Sequence, residues 1–184
     1  MYSLVKWTPD LDLTEFYAEA KLRGFVNNAS QQMLIDSLTK EREWCVWIFY
    51  YNNKAVGSVG AHSLPELGPN SYRICTRTCV FTDLLPYHQL RALTHTIKRH
   101  QNITAQFFIP QCIEWAGHDK DLYITSHPSS VGTQKLVHNI YCPALVETGA
   151  LDRTCELEYR GHLQTFWKLN VDVFYEQLNQ LPRW

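Results

Sequence analysis

Apolar positions along this chain recur with two periods, and the switches between them divide it into strands and helices. Residues 3–7 (SLVKW) read as a short first strand, stopped by Thr8-Pro9-Asp10. Thr14 or Asp12 can cap a helix running to Arg23, with Phe16, Ala20 and Tyr17 turned inward and Gly24 past its end. Ser30 is a suitable cap for a second helix, with Met33, Leu34 and Leu38 as its apolar stripe. The charged run Lys40-Glu41-Arg42-Glu43 follows as a solvated turn. Residues 44–51 (WCVWIFYY) and 54–62 (KAVGSVGAH) predict the clearest hairpin. Both arms favour β-structure, and Asn52-Asn53 tolerate the positive φ of a tight turn. Gly57 and Gly60 weaken the second arm by propensity. Glycines so placed mark a bulge, or a point where another backbone or a ligand comes close.

An irregular loop over 64–70 leads to a strand over 71–82 (SYRICTRTCVFT), in which Tyr72, Ile74 and Thr76 alternate with Arg73, Cys75 and Arg77. Unbroken alternation would put Cys75 and Cys79 on one face as packing residues. Residues 82–100 predict a helix of their own, with Leu90, Leu93 and Ile97 on one side. His88, Arg91, His95, Lys98 and Arg99 gather on the other, either as a solvated face or as a surface for phosphates or an acidic partner. Residues 101–127 are the centre of the chain: a polar turn, a helix and a strand. Phe107, Phe108, Ile109, Cys112, Ile113 and Ala116 form the helix's apolar face, Thr104 or Asn102 can cap it, and Gly117 ends it. A charged turn over Asp119–Asp121 then leads to the strand over 122–126. A turn at a helix N-terminus gathers unpaired N–H groups and suits an anion; the same segment also reads as an ordinary loop–helix–strand unit. Beyond it, a helix starts near Val131 with Leu136 and Val137 inward, and Pro143 kinks it or starts another. A strand pair over 154–160 and 164–169 flanks Gly161-His162, and a last helix from Asn170 carries Val171, Phe174, Leu178 and Leu181 on one face. No repeat or linker interrupts the order. The pattern predicts a single α/β domain over 1–184, with a helical insertion at about 84–100.

Composition narrows the class. Of 184 residues, 45% are hydrophobic and 13% aromatic, which fits a chain with a sizeable core. The net charge of −1 argues against a general attraction to nucleic acid or anionic membrane. No apolar run is long enough to span a bilayer, and the first residues lack the pattern of a signal peptide, so a cytoplasmic protein is expected. The six cysteines include no C-x-x-C pair and the eight histidines no H-E-x-x-H pattern, so reduced, buried thiols and no metal are expected. His62, His127 and His138 are candidate bases because imidazole titrates near neutrality, and each also reads as a surface or hydrogen-bonded histidine.

The order strand, two helices, hairpin, long strand, helix, strand, helix, strand pair resembles the GNAT N-acetyltransferase superfamily. Locally, Ile113-Glu114-Trp115-Ala116 and Leu122-Tyr123-Ile124 are similar to that family's central helix end and following strand, and Gln101 can open its Gln/Arg-x-x-Gly-x-Gly/Ala loop. The resemblance implies a mixed, mostly antiparallel central sheet flanked by helices. It also implies transfer of an acetyl group from acetyl-coenzyme A, without a metal, to an amine on a small molecule or a protein. On that alignment backbone groups near Val80 and Phe81 polarise the thioester, and Tyr141 is the acid for the leaving thiolate. Gln101, Asn102, Ile103, Thr104, Ala105 and Gln106 form the pyrophosphate loop. Two departures accompany the likeness: the motif glycines fall on Thr104 and Gln106, and the helix over 84–100 is extra. They motivate an alternative, a catalytically silent interaction protein with this fold that uses the basic 88–99 face. Aromatic-rich surfaces leave room for a second copy in a homodimer.

Overall fold

The structure, a computed structural model, describes residues 1–36, 42–85, 103–126 and 146–179. Seven strands form one sheet in the order β1-β2-β3-β4-β5-β7-β6. They are β1 (Tyr2–Lys6), β2 (Trp44–Tyr51), β3 (Lys54–Ser63), β4 (Ser71–Val80), β5 (Asp121–Ile124), β6 (Leu151–Tyr159) and β7 (His162–Leu169). The described helices are α1 (Thr14–Leu22), α2 (Gln31–Asp36), α3 (Ile109–Ala116) and α4 (Val171–Leu178). Neighbouring strands are antiparallel except β4 and β5, which run parallel. This is the mixed, mostly antiparallel sheet of an α/β domain that the family resemblance implied.

Alternation along β2 decides what covers each face. Cys45, Trp47 and Phe49 belong to the larger core with Phe108, Ile109, Cys112 and Ile113 and with Phe174 of α4. Val46 and Ile48 point the other way, into a second core with Phe16 and Ala20 of α1, Leu34 of α2, Cys79 and Phe81. Phe108 meets Phe49 edge-on at 5.5 Å, an arrangement that favours the positive ring edge against the negative face. A third group, Leu64, Tyr123, Tyr159 and Phe166, packs around the far end of β5 and β7.

Several local readings are borne out with their chemistry. Ser30 Oγ accepts from the Met33 N–H at 3.1 Å, and Asn170 Oδ1 accepts from the Val173 N–H at 3.2 Å, so both act as caps. Asn52 and Asn53 have φ of 47° and 64°, as the two-residue hairpin turn requires. Other readings are corrected. The strand expected to run to Thr82 ends at Val80, and Thr82–Leu84 make a single 3-10 turn. Alternation along β4 is broken: Cys75 and Arg77 take φ of 55° and 54°, and the register with β3 slips on either side of Gly60. Cys75 therefore packs against the larger core and Cys79 lies in the second, on opposite faces. One extra residue in a strand swaps its two faces, and one such slip lies between the Gly60↔Thr76 and Ser58↔Cys79 pairings, which is why unbroken alternation placed both thiols together. β6 and β7 also begin earlier than expected, and their tight turn is Arg160-Gly161, with φ of 53° and 76°.

The central helix differs at its start. Thr104 does not cap it: Ile103 is already in the helical region, no side chain caps the end, and Thr104–Phe108 form a wider π-helical turn. Pro110 accounts for the widening. It has no N–H to return to the preceding turn, and its ring needs room beside the carbonyl of Gln106. Gly117 ends the helix at φ 109°, as expected. Of the helix expected over 84–100 only residues 84 and 85 are described, Leu84 in the 3-10 turn; the rest of it, Asn102 and the start of the helix expected from about Val131 lie outside the described residues, so the insertion stays an expectation. Among the described residues no helix is long and apolar enough to cross a membrane.

Candidate functional site

The parallel pair is where the sheet opens. β4 and β5 are in register only at Ser71↔Asp121, Tyr72↔Leu122 and Arg73↔Tyr123. Beyond Arg73, β4 goes through its two left-handed residues and, among the described residues, pairs only with β3, to Gly57↔Val80. β5 turns its attention to β7, through Tyr123↔Lys168 and Ile124↔Trp167, and Thr125 Oγ1 donates to the Thr165 carbonyl at 2.6 Å. The two strands thus part at their C-terminal ends, each anchored on its outer side. In open sheets, a ligand finds unpaired backbone groups in such a parting.

Two of the expected site residues sit at the end of β4, and the backbone distinguishes them. The Phe81 N–H donates to the Val56 carbonyl at 2.7 Å and so is committed to β3. Successive N–H groups of a strand point to opposite edges, so the Val80 N–H is turned from β3 toward the parting. The Phe81 ring is buried in the second core beside Phe16, at 5.4 Å between centroids. Val80 is half-buried.

The bulge that bends β4 is held by residues the sequence reading passed over. Ser58 Oγ donates to the Arg77 carbonyl at 2.7 Å and lies 3.3 Å from Cys79 Sγ. Asn28, 2% exposed in the loop before α2, donates from Nδ2 to the Arg77 carbonyl and to Ser58 Oγ, each at 3.1 Å. Arg77 in turn donates to the Asn27 carbonyl at 3.4 Å. A carbonyl freed by the bulge is thereby satisfied from two side chains, which offsets the cost of breaking the ladder. The signal for Ser58 was present: a small hydroxyl between two strand glycines. Asn28 carried none, because it acts across the sheet from an irregular segment.

Of the expected pyrophosphate loop, Gln101 and Asn102 lie outside the described residues. Ile103 is 3% exposed in the larger core, so it can offer only backbone to a ligand. Thr104, Ala105 and Gln106 are half-buried in the π-helical turn. The positions aligned with motif glycines are thus already helical, and a loop there must end before Ile103. Tyr141, His127 and His138 also lie outside the described residues.

His62 is described, and its surroundings argue against its candidacy as base. It is 1% exposed, its Nδ1–H donates to the Ser63 carbonyl at 2.7 Å, and its Nε2 faces the Tyr159 hydroxyl at 3.4 Å. Burial first, then the Arg73 charge, with Arg160 and Arg42 behind them, push its pKa down to about 3. An imidazole so reluctant to take a proton is a structural hydrogen-bonding group. Burial pushes the Cys79 thiol up and Cys45 up to about 11, so neither is a ready nucleophile. Among the described residues no group of histidine, cysteine and carboxylate side chains is placed to hold a metal.

No protein-family model and no curated protein matches the sequence. Solved structures do match the fold along nearly its whole length. An aminoglycoside acetyltransferase, AAC(6')-Ib, in complex with coenzyme A and kanamycin, is 13% identical with a TM-score of 0.57, over 97% of this chain and 99% of that one. A protein assigned to the GNAT acetyltransferases from Desulfovibrio desulfuricans is 8% identical with a TM-score of 0.54, over 93% and 99%. An acyl-CoA N-acyltransferase from Pseudomonas aeruginosa is 13% identical with a TM-score of 0.50, over 92% and 99%. Together with the parallel β4–β5 pair inside an otherwise antiparallel sheet, these matches show that the chain has the GNAT, or acyl-CoA N-acyltransferase, fold.

Proposed function

We propose that this protein transfers the acetyl group of acetyl-coenzyme A to the amine of an acceptor. The observation that carries the reading is the parting of β4 and β5 with the Val80 N–H turned into it. Neighbours of the same fold were solved with coenzyme A or acetyl-coenzyme A, which supports this co-substrate. The pantetheine arm would lie between the strands and pair with the edge of β4, and the pyrophosphate would meet backbone N–H groups of Gln101–Gln106 at the helix start.

In that arrangement the Val80 N–H donates to the thioester oxygen, where negative charge develops as the amine attacks the carbonyl carbon. The new C–N bond forms, the C–S bond breaks, and coenzyme A leaves as its thiolate. The amine's proton goes to water, and Tyr141 is assigned as the acid that protonates the thiolate. With His62 held neutral, no base is assigned among the described residues. Binding the two reactants side by side supplies most of the acceleration, as expected where a reactive thioester meets a free amine.

A thiol-release assay tests this. The purified protein is mixed with acetyl-coenzyme A and a panel of aminoglycosides, polyamines and lysine peptides, and free thiol is read against enzyme-free controls. Acceptor-dependent thiol release is expected for at least one class. No release with any amine, together with no heat on titrating acetyl-coenzyme A to about 1 mM, would refute the proposal.

A further inference from the structure

At the opposite end of β4 from the parting, three guanidinium groups surround one ring. The Cζ atoms of Arg42, Arg73 and Arg160 lie 5.7, 5.5 and 5.3 Å from the centroid of Tyr159. They come from three separate segments: Arg42 precedes β2, Arg73 is in β4, and Arg160 is in the β6–β7 turn. Tyr159 and Arg73 are buried, at 2% and 9% exposure, whereas Arg160 is exposed and brings the group to solvent. Glu66 pairs with Arg42, which also donates to the Ser63 carbonyl at 3.1 Å. His62 adjoins the cluster and stays neutral, so it adds neither charge nor counter-charge.

Attraction to the face of Tyr159 offsets part of the repulsion among three cations, since the ring quadrupole draws each of them. It leaves Arg73 unexplained. Its Nε is fully buried and has no hydrogen-bond partner. A buried guanidinium donor without an acceptor is among the costlier features a fold can hold, and an oxyanion is the group that removes the cost.

We infer that Arg73, Arg42 and Arg160 form a binding site for a small oxyanion, a carboxylate or phosphate group, entering past the β6–β7 turn. Planar guanidinium groups match both oxyanions through paired N–H donors. This inference does not rest on acetyl transfer.

Calorimetric titration of the whole protein with phosphate, and separately with succinate, at low ionic strength tests it. Saturable binding of at least one anion is expected, with a dissociation constant on the order of 1 mM. Arg160→Asn, which keeps a residue tolerant of positive φ, should weaken it by about tenfold or more. Arg73→Met should abolish it. Arg153→Ala, on the exposed outer strand β6 and paired with Glu156, should leave it unchanged. Should Arg73→Met not fold, the exposed Arg160→Asn variant decides. Absence of saturable heat for both anions up to about 50 mM, or equal affinity in wild type and Arg160→Asn, would overturn the inference. Preference for phosphate or succinate identifies which oxyanion the site takes.

Discussion

Gly57→Ala is expected to lower the unfolding free energy by about 3 kcal/mol, near the upper end for over-packing a well-packed site. A Cβ at Gly57 would lie 2.6 Å from the Cys79 carbonyl oxygen and 3.4 Å from the Val80 Cα. Both obstacles are backbone, so no side chain can swing away, and β3 or β4 must move. The part of β4 that moves carries Val80, so the affinity for acetyl-coenzyme A should fall along with the stability. Gly24→Ala is the comparison. Gly24 has φ of 77° but nothing within 4 Å of its built Cβ, so only conformational strain of about 1 kcal/mol is expected there. Urea unfolding of the two variants reads the difference. Equal losses would mean that the close approach of β3 and β4 at Gly57 is not what selects glycine.

Acidification should destabilise the protein through His62, beginning at a pH above the range where carboxylates titrate. The folded pKa lies near 3 and the ordinary value is 6.5, so between them the unfolded chain binds a proton that the folded chain does not. Stability from this group is therefore complete above about pH 6.5 and is lost as pH falls toward 3. Each pH unit inside that window costs about 1.4 kcal/mol. Unfolding at pH 6.5 and pH 5 should thus differ by about 2 kcal/mol, and His62→Gln, which cannot titrate, should remove most of that difference. The Asp12 carboxyl, held low mainly by the Thr14 N–H, responds at lower pH and does not confuse the comparison. The same pH dependence in wild type and His62→Gln would show that the imidazole is not held neutral by its burial.

Most of the fold was legible because its elements are locally consistent. The Asn52-Asn53 turn, the Ser30 and Asn170 caps and the apolar face of α3 each carry their own chemistry, and the structure uses each as that chemistry suggests. That the sheet is mixed entered only through the family resemblance, and that β4 and β5 are its parallel pair was not legible at all, since period-two alternation does not say which strand lies beside which. What could not be read was the bulge in β4. No glycine or proline marks Cys75 or Arg77, and the support for their left-handed conformations comes from Asn28 and Ser58, distant in sequence. The site was half visible for the same reason. Val80 and Phe81 could be placed at the strand end, but which N–H faces the parting depends on the register with β3, and this is a tertiary fact. His62 looked like a base because its residue type titrates near neutrality. Burial of the ring reverses that reading, reinforced by Arg73 and, behind it, Arg160 and Arg42, which converge on it from three segments.

The Val80 amide is the most direct probe of the acetyl site. In a nitrogen-15-labelled sample, adding acetyl-coenzyme A should shift the Val80 N–H resonance more than any other in β4, as it gains the thioester oxygen as acceptor. The neighbouring Phe81 N–H, already bonded to Val56, should move little. Binding of acetyl-coenzyme A that leaves Val80 unshifted, or no binding at all, would contradict the claim that the parting of β4 and β5 is the acetyl site.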